Sequence, residues 1–291
     1  MEIDTKEIIS ERKFLTESDF LHLSEFIHSE VGIKMPASKK TMVEARLQRR
    51  LRILGMSDFS QYLNLVFSPK GFESEIIHLI DVLTTNKTDF FREPQHFNYL
   101  TGTAMPEIIN GYGAGTKRAF LAWSAGCSTG EEPYTLAMVL SDFAEKNYNN
   151  AFQFVILATD ISTRVLEKAK KAIYEEERVA PVPPNMKKKY LLKSKDKSKK
   201  LIRIAPEVRS LLRFRRLNFM DDDFGFKQQV DIIFCRNVVI YFDKQTQEKL
   251  LNKFSRCLQP YGYLFMGHSE TLSGLNVPFI QVAPTIYKLA Q

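Results

Sequence analysis

Residues 125–130, AGCSTG, are a run of small residues between the apolar stretch 119–124 and a helical pattern that opens at Glu131. Where a strand passes through such a turn into a helix N-terminus, backbone N–H groups converge on a nucleotide-like ligand. Asp160 ends a second apolar stretch, residues 152–159, where a carboxylate can accept both hydroxyls of a ribose. Turn and carboxylate together predict a nucleoside-containing cofactor. The turn lacks the G-x-G-x-x-G order of a pyrophosphate dinucleotide site, which leaves adenosine-type ligands such as S-adenosylmethionine. HExxH is absent, the five histidines are scattered, and no Ser/His/Asp set stands out, so no metal is expected.

The elements that must position these groups follow from periodicity. From residue 116 on, apolar strands at 119–124, 152–159, 213–217 and 230–235 alternate with helices. Ser162 and Asp243 are placed to cap two of those helices, the second running to 258. This order predicts an α/β fold, a doubly wound and mostly parallel sheet with its ligand outside the strand carboxyl ends. Asp160, Asn237 and the 126–130 turn all fall at such ends. Pro260 and Gly262 predict a turn into a strand at 263–266, and residues 279–289 a closing strand or hairpin. The lysine-rich stretch 185–210 interrupts the alternation, and its two short apolar runs predict a small inserted antiparallel β subdomain.

Residues 16–84 read as helices throughout. Thr16 and Asp19 form a capping pair ahead of Phe20, Leu23, Phe26 and Ile27. A second helix stops at Gly55, and shorter ones cover 59–66 and 72–83. On the second helix Lys39, Lys40, Arg46, Arg49, Arg50 and Arg52 face only Glu44, which reads equally as a solvated face or as a docking surface for an acidic partner. The segment TTNKTDFFREPQHF then breaks at Pro94; its polar residues around Phe90 and Phe91 suggest a cover over a pocket between domains, while its composition alone favours a plain linker with two aromatics packed beneath it. The expected organisation is a helical substrate-docking domain (1–84), an interdomain linker contributing to the cofactor site (85–115), and a cofactor-binding domain (116–291).

With 291 residues and 44% apolar content, the chain can bury a substantial core. Its net charge of +7 favours acidic partners. Cys127, Cys235 and Cys257 lie far apart without CxxC spacing, which predicts reduced thiols in a cytoplasmic protein. No apolar run approaches the ~20 residues of a membrane span, and the N-terminal MEIDTKEII lacks a basic region followed by an apolar one.

Four longer motifs, TTNKTDFFRE, WSAGCSTGEEPY, ATDIS with VLEKA after it, and FCRNVVIYFDKQTQEKLL followed by LFMGHSE, resemble the CheR family of chemotaxis receptor protein-glutamate O-methyltransferases. The resemblance extends to the helical domain with RLQRRLRILGM and to the inserted hairpin, so it spans nearly the whole chain. It implies an S-adenosylmethionine site in which Asn86, Thr88 and Arg92 reach in from the interdomain segment. Glu132 meets the methionine end, Asp160 the ribose, Asn218 and Phe219 the adenine region; Arg236 and Asn237 complete the site. Tyr241 stands near the transferred methyl, with Arg92 as the group that steers or holds the carboxylate. Arg46, Arg49, Arg50 and Arg52 would meet the cytoplasmic helices of a methyl-accepting chemotaxis receptor. No nucleic-acid partner, no membrane insertion and a monomer are implied. In some members the hairpin holds a receptor C-terminal peptide; here its tip, KSKDKSKK, has no glycine.

A target glutamate with a pKa near ~4.3 is already ionised at neutral pH, so this transfer requires no general base. Two other readings remain at this point. The basic charge and lysine-rich hairpin suit a nucleic-acid methyltransferase, although CRNVVIY stands where an Asn/Asp-Pro-Pro-aromatic tetrapeptide is usual. A module that binds the cofactor without turnover fits the same motifs.

Overall fold

The computed structural model describes residues 14–149 and 151–290, and the chain divides into two compact units, Met1–Thr85 and Asn86–Gln291. The first unit is helical over its described residues. Helix α1 (Glu17–Val31) starts on a reciprocal cap: the Thr16 hydroxyl accepts the Asp19 amide at 3.0 Å and donates to its carboxylate at 2.7 Å. Helix α2 (Lys40–Leu54) ends at Gly55, whose φ of 67° suits a residue without Cβ. Helix α3 (Phe59–Val66) is capped by Asp58, and α4 (Pro69–Leu83) by Ser68 with a proline in its first turn. That cap starts α4 three residues before the apolar pattern does. Phe20, Leu23, Ile27, Val43, Leu47, Phe59, Tyr62 and Leu79 form the buried interior.

The cations of α2 do not face only Glu44, contrary to expectation. Arg50 donates from Nε and Nη2 to Glu75 at 2.6 and 2.7 Å, and this carboxylate also accepts the Tyr62 hydroxyl at 3.0 Å. Arg46 donates to the carbonyls of Leu83 at 2.7 Å and Thr84 at 3.1 Å, where the end of α4 presents unpaired acceptors. Lys40 pairs with Glu17. These acceptors come from other helices, which periodicity within α2 cannot reveal. Arg49 and Arg52 are exposed.

From Asn86 on, the stretch expected as a linker is built into the second unit. Helix α5 (Pro94–Tyr99), a π-helical turn (Leu100–Ala104) and helix α6 (Met105–Tyr112) bury Phe97, Leu100, Met105 and Ile108. Strand β1 (Phe120–Ala125) leads to helix α7 (Glu131–Tyr148), strand β2 (Phe154–Asp160) to helix α8 (Thr163–Lys171). The insertion is wider than the sequence suggested. Strand β3 (Ile173–Glu175) precedes helix α9 (Pro184–Tyr190), and strands β4 (Leu191–Lys193) and β5 (Leu201–Ile204) complete an antiparallel sheet of order β3-β5-β4. Helix α10 (Pro206–Arg209), strand β6 (Leu212–Arg216), strand β7 (Val230–Cys235) and helix α11 (Lys244–Cys257) follow, then strands β8 (Leu258–Met266), β9 (Phe279–Ala283) and β10 (Ile286–Leu289).

The main sheet has the order β6-β2-β1-β7-β8-β10-β9. Its first five strands are parallel, and the closing hairpin is antiparallel, as expected for a mostly parallel doubly wound sheet. The turn expected at Pro260 and Gly262 is instead a bulge inside β8. Val230 pairs with Leu258 and Ile232 with Tyr263, so residues 259–262 loop out opposite Asp231. Proline is tolerated there because the ladder needs no N–H. The bulge also lets the Tyr261 hydroxyl reach the fully buried Asp231 at 3.2 Å, a carboxylate that accepts the Leu121 amide and the Arg118 guanidinium as well.

Candidate functional site

Strand order reverses between β1 and β7, and the chain segments leaving their carboxyl ends define a crevice of the kind that holds ligands in open α/β sheets. After β1 the chain turns through Gly126, whose φ is 81° and where a Cβ would stand 2.6 Å from the Val238 side chain. Only glycine fits there. Ser128 follows with φ 48°, its amide donating to Asp160 Oδ2 at 2.8 Å, while Oδ1 accepts the Ser162 amide at 2.9 Å. Asp160 is thus fixed beside the turn by one N–H on each oxygen. The Ser128 hydroxyl donates to the Asn86 carbonyl at 2.9 Å, which fastens the 86–93 segment over the turn.

Arg178, which sequence reasoning missed, holds the same segment from the other side. It donates to the Thr88 carbonyl at 2.6 Å and to the buried Glu131 at 2.7 Å, and pairs with Asp89. Nothing in its local pattern marks it. Thr88 is buried, and the Arg92 guanidinium makes one long bond, 3.4 Å to the Lys87 carbonyl. Phe91 and Glu93, on either side of Arg92, both have positive φ, 53° and 55°. Left-handed backbone at non-glycine residues is sustained only where the surroundings impose it, and it clusters at functional sites.

Glu132 and Arg236 meet beneath this segment. Glu132 accepts the Ser124 hydroxyl and Arg236 Nε, each at 2.7 Å. Arg236 Nη1 donates to the Arg92 carbonyl at 2.6 Å and lies 3.3 Å from His96 Nδ1. The His96 ring is set by its other nitrogen. Thr285 gives its hydroxyl proton to the Pro284 carbonyl, so His96 Nε2–H donates to Thr285 at 2.9 Å and Nδ1 is left as an acceptor. Burial, then Arg236, pushes its pKa down to about 3. Glu93, His96 and His268 are the one group among the described residues with metal-ligand spacing. The Arg236 guanidinium, 3.6 Å from Glu93 Oε2 and 3.3 Å from His96 Nδ1, already supplies the cation there.

Asn237 and Tyr241 occupy the loop after β7. Asn237 has φ 60°, and its Oδ1 is buried without a hydrogen-bond partner. Tyr241 closes a single 3₁₀ turn, Val239–Tyr241, and is partly exposed. Glu270, quoted within LFMGHSE but not singled out, accepts four backbone amides from this region. Asn218 and Phe219 follow β6. Asn218 Oδ1 caps the Met220 amide at 3.1 Å, and the Phe219 ring packs on Phe254 and Trp123. Lys253, another residue missed, donates to the carbonyls of Phe219, Met220 and Asp221 and so pins that loop.

The residues present fit an adenosine-type cofactor bearing an ammonium group: a glycine turn too tight for side chains, a carboxylate beside it, and an unpartnered buried acceptor at Asn237 Oδ1. Residues 86–288 match the family description "CheR methyltransferase, SAM binding domain", and residues 18–84 match "CheR methyltransferase, all-alpha domain". The chain belongs to the CheR methyltransferase family. It is similar to proteins named chemotaxis protein methyltransferase: 40% identical over 257 residues to that of Borreliella burgdorferi, covering 88% of this chain and 89% of the relative. To that of Escherichia coli it is 38% identical over 260 residues, covering 89% and 86%. This CheR-family chain is an S-adenosylmethionine-dependent methyltransferase. No helix among the described residues is long and apolar enough to cross a membrane.

Proposed function

We propose that this CheR-family enzyme methylates glutamate side-chain carboxylates on the cytoplasmic helices of methyl-accepting chemotaxis receptors, forming methyl esters for sensory adaptation. The observation that carries this reading is the match of both units to one family, whose relatives over most of the chain are named chemotaxis protein methyltransferases. When bound, S-adenosylmethionine supplies a methyl carbon on a positively charged sulfur.

The chain's own residues then have limited work. Asp160 is proposed to take the ribose hydroxyls, Asn218 and Phe219 to border the adenine, and Asn86, Thr88, Glu132, Arg236 and Asn237 to enclose the methionine end. The incoming carboxylate is already ionised, so catalysis rests on alignment and on exclusion of water rather than on proton removal. Arg92, whose guanidinium makes one long bond among the described residues, is proposed to hold that carboxylate. Tyr241 is proposed to fix its angle of approach. Arg49 and Arg52, the exposed arginines of α2, are proposed to meet the acidic receptor helix. These assignments deepen a family-level reading that the geometry accommodates.

The test is transfer of a labelled methyl group from S-adenosylmethionine to a receptor cytoplasmic fragment, followed by mild alkali. Release of the label as methanol is expected, because a carboxyl methyl ester is base-labile. Label that survives alkali would overturn the reading in favour of an amine or nucleic-acid acceptor.

A further inference from the structure

Glu270 lies on the loop after β8 and is 4% exposed, yet nothing in the reaction as described uses it. Its Oε2 accepts the amides of Asn237 at 2.8 Å and Gly267 at 2.6 Å, and its Oε1 accepts those of Val238 and Val239, both at 2.9 Å. Three consecutive amides turned toward one point form a concave anion site in the backbone. Here the anion is a side chain of the same protein.

The consequence falls on Asn237 and Tyr241. Asn237 is left-handed, a conformation that costs a non-glycine residue free energy and that four converging hydrogen bonds can sustain. Gly267 backs the same residue, since a Cβ there would stand 2.5 Å from Asn237 Nδ2. The loop is therefore held from behind as well as from above. Tyr241 lies two residues beyond the last anchored amide, on the turn that begins at Val239. Burial raises the Glu270 carboxyl pKa while the amides oppose that rise, as expected for a carboxylate enclosed to hold backbone.

We propose that Glu270 is a positioning residue for methyl transfer: it sets the Asn237 carboxamide and the Tyr241 ring by clamping the loop after β7 to the end of β8, without itself touching cofactor or substrate. The proposal rests on the reading that Asn237 and Tyr241 belong to the methyl-transfer site. A purely structural role would lower stability and leave binding by the folded protein alone. A positioning role couples Glu270 to Asn237.

Four full-length proteins distinguish these: the parent, Glu270→Gln, Asn237→Ala and the double variant. Glutamine keeps the shape but turns an NH₂ group toward two amide donors. Dissociation constants for S-adenosylhomocysteine are measured by calorimetry, and kcat with receptor fragment, at a temperature where circular dichroism shows each protein folded. Glu270→Gln is expected to weaken cofactor binding about tenfold and to lower kcat by about ten- to a hundredfold through misplacement of the reacting groups. Asn237→Ala is expected to weaken binding about tenfold, and the double variant no more than about the worse single one, because coupled residues are not additive. Multiplication of the two effects, or a Glu270→Gln protein within about twofold of the parent, would overturn the proposal. Should Glu270→Gln not fold, Glu270→Asp, one methylene too short to span the four amides, is measured in the same way. A parent protein that does not bind S-adenosylhomocysteine at all would overturn the cofactor-site reading, and this proposal with it.

Discussion

Arg236 is 7% exposed, lies over the rings of Phe97 and Phe234 at 5.2 and 5.4 Å, and directs separate N–H groups to Glu132 and to the Arg92 carbonyl. A lysine carries its donors on one nitrogen and lacks the planar fork that reaches Glu132 and the Arg92 carbonyl from separate nitrogens. Arg236→Ala leaves the Glu132 charge buried and uncompensated, and a loss of about 3–5 kcal/mol is expected in urea denaturation. A loss under about 1 kcal/mol would show that Ser124 alone can satisfy that carboxylate. His96, in the same network, is fully buried and faces Arg236, Glu93 and His268. Its pKa is pushed down to about 3 from an ordinary 6.5, so the unfolded chain binds the extra proton between those values. Stability from this residue is therefore complete above pH 6.5 and is lost as pH falls toward 3, at a limiting slope of about 1.4 kcal/mol per pH unit. Denaturation midpoints at about pH 7.5 and about pH 5 should fall further apart for the parent than for His96→Gln; equal separations would remove His96 as the cause.

Among the elements, α2 shows how a charged face divides. Arg50→Glu puts two carboxylates against each other at the buried Glu75 and is expected to destabilise the helical unit by several kcal/mol, on the order of about 3–5. Arg49→Glu and Arg52→Glu, both at exposed positions, should leave thermal unfolding within about 0.5 kcal/mol of the parent and raise KM for receptor fragment. A KM unchanged by the two exposed reversals would remove α2 from the docking surface. The sequence could not make this division, because periodicity assigns a face within one helix while Glu75 and the Leu83 carbonyl arrive from α4. Local signals did better: Gly55 ends α2, Asp243 caps α11, and β7 covers the stretch that its apolar run marked. Candidates recognised by motif, such as Asp160 and Asn237, do lie at strand carboxyl ends. Arg178, Lys253 and Glu270 were not legible as partners, since each acts on backbone groups far away in sequence, 90, 34 and 33 residues for Thr88, Phe219 and Asn237. The left-handed residues Phe91 and Glu93 were illegible for a different reason, since their side chains carry no preference for that conformation; Asn237 is of a type enriched there, but that signal alone is weak.

For the whole molecule, the net charge of +7 favours the approach of an acidic partner such as the proposed receptor. With receptor fragment below KM, the methylation rate should fall steeply as ionic strength rises from about 0.05 to about 0.3 M, while binding of S-adenosylhomocysteine changes little. A rate insensitive to salt would mean that long-range attraction does not contribute to encounter. The proposed site draws on chain segments far apart in sequence: 86–93, 126–132, Asp160 and 236–241. A later tie is the carboxylate of Glu270, which arrives after all of these segments. A nascent chain that has reached Tyr241 therefore has every proposed cofactor contact and no clamp on Asn237, so on this reading the enzyme does not become competent strand by strand as it is made. If Glu270 positions Asn237 as proposed, a stalled or truncated product lacking Glu270 is expected to be inert rather than a methyltransferase with partial activity.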